Sequence, residues 1–120
     1  MTTATDTLNS PTSVVQAQLD AYNAHDVPAL LAIYADDAQQ FQHPDTLLAQ
    51  GGAQIGPRFT ARFAASKPQA QLLNRITCGK LVIDHEIVTS ATPEGSSQQE
   101  LVATYEVVDG RIARAWFAFA

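Results

Sequence analysis

The chain is poor in the residues that mark several common protein classes. It has a single cysteine, Cys78, in 120 residues, which excludes an internal disulfide and fits a reducing compartment. Its three histidines, His25, His43 and His85, are scattered without paired spacing, and no carboxylate cluster offers open coordination. No metal site is expected. Basic residues are few: seven Lys and Arg against twelve Asp and Glu leave a net charge of −5. With no basic run and no basic–aromatic interleaving, neither nucleic acid nor a membrane is an expected partner. Apolar runs such as Ala115-Trp116-Phe117-Ala118-Phe119-Ala120 are far too short to span a bilayer. Residues 1–10 carry no basic start and no apolar stretch, so they read as a flexible N-terminus and not as a secretory signal. The expected location is cytoplasmic. Gly51-Gly52 lacks the lysine of a phosphate loop, and there is no serine elbow, so no cofactor is expected.

What is present is enough for one folded domain over residues 11–120. Hydrophobic residues make up 46% and charged residues only 16%, a balance that supports a buried core and argues against disorder. Ser10-Pro11 is a helix start, a capping hydroxyl followed by proline at the first helical position. Val15, Leu19 and Tyr22 then recur at helical spacing towards Asn23-Ala24-His25. Asp26 caps a second helix, with Leu30, Leu31, Ile33 and Tyr34 as its apolar side and Asp36-Asp37 as its terminating turn. Gln39 to His43 reads as a short strand stopped by Pro44, and Leu47 to Gly52 as loop. A third helix is predicted over roughly Ala53 to Ser66. Ile55, Phe59 and Phe63 lie on its buried side, and Arg58 and Arg62 on a neighbouring face.

From Leu72 on the pattern is strand. Leu72 to Thr89 forms a hairpin around Gly79-Lys80. Pairing about that turn sets Thr77 opposite Val82, Arg75 opposite Asp84 and Leu73 opposite Glu86. One face then carries Arg75, Asp84 and Glu86, and the other Asn74, Ile76, Cys78, Leu81, Ile83, His85 and Ile87. Thr92 to Ser97 is a polar turn region, Glu100 to Val108 a third long strand, Asp109-Gly110 a tight turn, and Arg111 to Phe119 the last strand. Helices first and strands after argue an α+β fold, three N-terminal helices packed on a curved antiparallel sheet.

That order, with Asp26 to Ala38 and Val107-Val108-Asp109-Gly110-Arg111-Ile112, resembles the nuclear transport factor 2-like superfamily, also called SnoaL-like. Its cone-shaped roll also carries ketosteroid isomerase. Arg75 to Gly79 with Val82 to Glu86 looks like a steroid isomerase-like subgroup. Such a resemblance implies a fold far more than a reaction, since the fold hosts isomerases, cyclases, dehydratases and binding modules. In the isomerases a catalytic carboxylate precedes a proline on the strand after the second helix. Here that place reads Gln42-His43-Pro44, with His43 the nearest substitute. The helix tyrosine of the oxyanion hole corresponds by counting to Gln18, and its protonated aspartate to Thr104. The usual isomerase residues are not matched.

The resemblance also implies sides. If Thr104 points into the cone, so do Val102, Glu106, Val108, Ala113, Ala115 and Phe117. Ile76, Ile83, Ile87, Tyr105, Ile112 and Trp116 then form an outer apolar face, through which the family commonly dimerises. A homodimer through that face is expected. Buried charge needs pairing, so Arg75, Asp84 and Glu86 are either a cross-strand ion pair or ligand-binding and acid–base groups. Asp84 is the natural partner of Arg75, which leaves Glu86 the freer carboxylate. His43, Glu86 and Asp84 are the catalytic candidates. Arg75, Thr104, Tyr22, Phe63, Phe117 and Gln18 are the ligand-binding candidates. Cys78 reads as a small buried hydrophobe, and Arg58 and Arg62 as a solvated helix face that could instead meet an acidic ligand. The function expected is binding of a small, mostly apolar ring-type molecule, with cofactor-free proton transfer next to a carbonyl. The alternative is a non-catalytic dimeric ligand-binding or interaction module.

Overall fold

A computed structural model describes residues 10–120; the flexible stretch expected at the N-terminus lies, except for Ser10, outside the described residues. Helix α1 spans Pro11–Asn23, α2 Val27–Ile33 and α3 Gly52–Ser66. The strands are β1 Tyr34–Gln42, β2 Thr46–Gln50, β3 Gln69–Cys78, β4 Leu81–Thr92, β5 Gly95–Val108 and β6 Arg111–Phe119. The three helices pack on one face of a six-stranded curved sheet of order β2-β1-β6-β5-β4-β3.

Local chemistry sets the helix ends. Ser10 Oγ accepts from Ser13 N at 3.2 Å and Pro11 opens α1. Asp26 Oδ1 accepts from Ala29 N at 3.1 Å and opens α2. Helix α1 buries Val14, Val15, Gln18, Leu19 and Ala21. Helix α3 buries Ile55, Gly56, Phe59 and Phe63, while Pro57 stays on its exposed side. At Gly56 an added Cβ would lie 3.2 Å from Leu31 Cδ1, so the absent side chain lets α3 settle against α2. The core closes over Val15, Leu30, Tyr34, Ala38, Val82, Ala103 and Ile112.

Several expectations need correction. Asp36 and Asp37 do not end a helix. The helix stops at Ile33 and both acids sit exposed in β1, where Asp36 accepts from Arg111 at 3.3 Å. Thr46–Gln50 is a strand and not loop, because it pairs antiparallel with β1. The polar region after Thr92 is only a tight turn, and β4 and β5 run on to pair Thr92 with Gly95. The sheet is mixed, since β1 lies parallel to β6. Cys78 is exposed, at the end of an edge strand.

The β3–β4 pairing runs as expected from the turn to Arg75–Asp84 and then slips. An irregularity between Leu72 and Asn74 takes up Leu73, so Leu72 and not Leu73 faces Glu86. Such a bulge leaves one residue unpaired and changes which residues beyond it point inward. Ala70, Leu72 and Arg75 therefore face the helices.

Asn23 of α1 ties down the backbone of β3 at the sheet edge. Asn23 Nδ2 donates to Ala70 O at 3.0 Å and Asn23 Oδ1 accepts from Ala70 N at 2.7 Å. Asn23→Ala leaves both backbone groups without that partner. A loss of about 1–3 kcal/mol is expected, read as a lower urea midpoint at unchanged slope.

Candidate functional site

A cavity of about 140 Å³ opens between the helices and the inner face of the sheet. Strict alternation in β4 turns Val82, Asp84, Glu86 and Val88 inward and buries all four. Opposite them β5 contributes Leu101, Ala103, Tyr105 and Val107, which are also buried. Glu86, Val88, Leu101 and Tyr105 line the cavity from the sheet, with Gln40 of β1 and Phe117 and Phe119 of β6. Gln18, Leu19 and Tyr22 line it from α1, and Arg58, Phe59 and Arg62 from α3.

Asp84 and Arg75 sit deeper and outside the cavity wall. Asp84 is fully buried and takes a two-pronged bond from Arg75, with Nε to Oδ1 at 2.7 Å and Nη2 to Oδ2 at 3.0 Å. Gln16 Oε1 accepts the remaining Arg75 Nη1 at 2.8 Å. Glu86 has no such partner among the described residues. Burial pushes its carboxyl up to about 7, the Asp84 charge adds to the rise, and Arg75 opposes it. A carboxyl that exchanges its proton near neutral pH, in a partly dry pocket, can act as a general acid or base.

Neutral polar groups surround it. Tyr105 donates its hydroxyl to Gln18 Oε1 at 3.3 Å, within the buried interior. Burial raises the Tyr105 hydroxyl far above its usual range and holds it protonated, as a donor. Tyr34 is pushed up to about 12, again by burial, with Gln40 and Arg58 pulling the other way. The Tyr34 hydroxyl and Gln40 Nε2 are buried side by side without completing a hydrogen bond of good geometry. Gln40 Oε1 is committed, accepting from Arg58 Nη1 at 2.7 Å. Arg62 Nε donates to the Tyr22 hydroxyl at 2.9 Å.

Of the sequence candidates, the cavity brings together Glu86, Tyr22, Gln18 and Phe117. Phe63 is core, packed on Tyr22 with ring centroids 5.3 Å apart and stacked on His25 at 4.8 Å. His43 is exposed past the end of β1, and Gln40 is the β1 residue that reaches the cavity. Thr104 lies on the outer face, opposite Trp116, and Tyr105 and Ile112 belong to the inner face. The expected β5 sides were thus inverted, and the Tyr105 and Ile112 places in the outer apolar face fall with them. Ile76, Ile83, Ile87 and Trp116 remain on the outer side, with Ile76 56% exposed. A signal for β5 was present. Leu101, Ala103, Tyr105 and Val107 form a wholly apolar set, whereas Glu106 on the other set pairs with Lys80 at 3.2 Å and Arg114 at 3.7 Å at the surface. A second bulge, between Glu106 and Val107, shifts β6 by one residue, so Tyr105 and not Thr104 faces Ala115. Nothing local in the sequence singled out Gln40.

Among the described residues no group of three or more His, Cys, Asp or Glu could hold a metal ion, and no helix is long and apolar enough to cross a membrane.

A sequence profile of the SnoaL-like domain matches residues 15–115. The chain belongs to the SnoaL-like domain family. No curated protein matches it in sequence. Solved structures share this SnoaL-like fold. A cystatin-fold protein from Novosphingobium aromaticivorans is 24% identical, over 90% of this chain and 97% of that one, with a TM-score of 0.82. An LEH-like epoxide hydrolase from M. tuberculosis is 18% identical, over 92% of this chain and 82% of that one, with a TM-score of 0.81. A protein of ketosteroid isomerase-like fold from Catenulispora acidiphila, in complex with trimethylamine, is 14% identical, over 87% and 82%, with a TM-score of 0.77. At these identities the likeness of this SnoaL-like domain to each is one of fold.

Proposed function

We propose that this SnoaL-like domain binds a small, mostly apolar ring-type molecule in the cavity, and that Glu86 moves a proton on it next to a carbonyl, without a cofactor. The observation that carries the reading is Glu86 itself: a carboxyl in the cavity wall, 5% exposed, raised to about 7 and free of any ion-pair partner. Tyr105, Gln18 and Gln40 supply neutral hydrogen-bonding groups for a carbonyl oxygen, and Phe59, Leu101 and Phe117 the apolar wall. The volume sets a scale. A dry cavity of about 150 Å³ accepts one benzene ring, so the closed part here holds one ring, and larger compounds extend through the mouth. That a neighbour of the same fold is in complex with a small organic molecule supports the binding half of the reading. A cytoplasmic homodimer joined through Ile76, Ile83, Ile87 and Trp116 belongs to the same proposal.

The test is a panel of ring ketones and phenols, followed by thermal shift and by exchange of carbon-bound hydrogen for deuterium in D₂O. A compound at one hundred times its Kd stabilises the fold by about 2.7 kcal/mol. With Glu86→Gln, binding is expected to persist while exchange slows by about 10²-fold or more. Binding without exchange in the wild type leaves a non-catalytic binding module, a reading that the unmatched isomerase positions, His43, Gln18 and Thr104, favour.

A further inference from the structure

The chain's five arginines divide sharply. The three away from the cavity all meet carboxylates: Arg75 with Asp84, Arg111 with Asp36, and Arg114 with Glu106. The two that line it, Arg58 and Arg62, meet none among the described residues. Each is held only by a neutral oxygen, of Gln40 and of Tyr22. They stand four residues apart on α3, on the same side of the helix, and Arg62, after burial, pushes the Arg58 guanidinium down. Arg58 as a residue is exposed, yet its guanidinium reaches the fully buried Gln40 and loses water there. Two guanidiniums converge on one small cavity, in a protein of net charge −5 that has carboxylates to spare.

We propose that the ligand is a ring carboxylate, whose carboxylate group accepts from Arg58 and Arg62 on the α3 side of the cavity while its ring packs against Phe59 and Phe117. A planar guanidinium fork matches a carboxylate in a two-pronged bond, which gives orientation as well as affinity. One negative charge also suits the balance of the site, because the Asp84–Arg75 pair is self-compensated. The inference rests on the cavity being the ligand site and adds the ligand's charge.

The experiment is calorimetric titration at pH 7.5 with benzoate, cyclohexanecarboxylate and 1-naphthoate, each beside its carboxamide. At least one acid is expected to bind about 10-fold or more tightly than its amide, and more weakly as salt rises. Arg58→Gln, or Arg62→Gln if the first fails to fold, is expected to erase that preference. If amides or neutral ring compounds bind as well as the acids, or the preference survives both substitutions, the carboxylate is overturned and the ligand site stands. If neither class binds, both readings fall.

Discussion

Arg75→Met is expected to destabilise the protein by about 3–5 kcal/mol, the usual result of removing one partner from a buried ion pair. Asp84 is fully buried and both its oxygens are committed to Arg75. Without the guanidinium, the carboxylate stays in the interior with its charge uncompensated, or takes up a proton. The asymmetry of the pair sharpens the prediction. The Arg75 side chain keeps 13% exposure and a second acceptor in Gln16, so Asp84→Asn strands a cation that water can still reach and is expected to cost less. Replacing both residues, as Arg75→Met with Asp84→Leu, is expected to recover most of the loss, since an apolar pair of similar volume often matches a buried ion pair. Urea unfolding of the wild type, Arg75→Met, Asp84→Leu and the double variant gives the coupling directly. Additive losses, or an Arg75→Met loss under about 1 kcal/mol, would show that the pair does not anchor β3 to β4. Arg75 also pulls the Glu86 carboxyl downward, so any proton-transfer activity of a folded Arg75→Met variant should move to higher pH.

The stability of the wild type is expected to fall as pH rises from about 4.5 to about 7, relative to Glu86→Gln. The ordinary value for the unfolded carboxyl is 4.5, and burial followed by Asp84 raises it to about 7 in the folded state. Between those values the folded protein holds a proton that the unfolded chain has released. Raising the pH therefore favours unfolding across that window. Below it both states are protonated and Glu86 carries no penalty; above it the penalty is complete. The shift corresponds to at most roughly 3 kcal/mol at neutral to alkaline pH, or a Tm difference on the order of 10 °C. The informative quantity is the difference between the wild type and Glu86→Gln at each pH, in which the contributions common to both proteins cancel. That difference should open between about 4.5 and 7 and stay constant above. Asp84→Asn removes the charge that helps raise Glu86, and is expected to draw the window down towards 4.5. A flat difference curve would mean that Glu86 is hydrated like a surface carboxyl, and would sink its role as a base. If Glu86 works as a base, deuterium exchange by the wild type should rise with pH and level off above about 7, following the same group.

Much of the frame was legible because it rests on local rules. Ser10-Pro11 and Asp26 open helices through their own side chains. Asp109-Gly110 turns because both residues adopt positive φ, 52° and 78°. The hairpin around Gly79-Lys80 set Arg75 against Asp84 and put Glu86 on the same inward face. The site was legible only in part, and the losses have physical causes. Two bulges each slipped the pairing by one residue, and one residue of slip exchanges the faces of a strand. That is why Leu72 replaced Leu73 opposite Glu86 and why Tyr105 and not Thr104 faces Ala115; Thr104 itself is turned outward by its pairing with Ile83 of β4, which brings Tyr105 to the cavity. His43 was favoured by its place before Pro44, but the parallel pairing of β1 with β6 leaves it beyond the strand end and brings Gln40 inside.

The sequence alone determined the three helices and the run of strands that follows them, and that two carboxylates and an arginine share one face. Periodicity and capping act between neighbours, and neighbours are what a sequence records. The tertiary structure decided what those charges do. It gave Asp84 a partner and left Glu86 without one, and it turned Arg58 and Arg62 from a helix surface into a cavity wall. Burial and pairing depend on elements distant in the chain, brought together only when the helices close over the sheet.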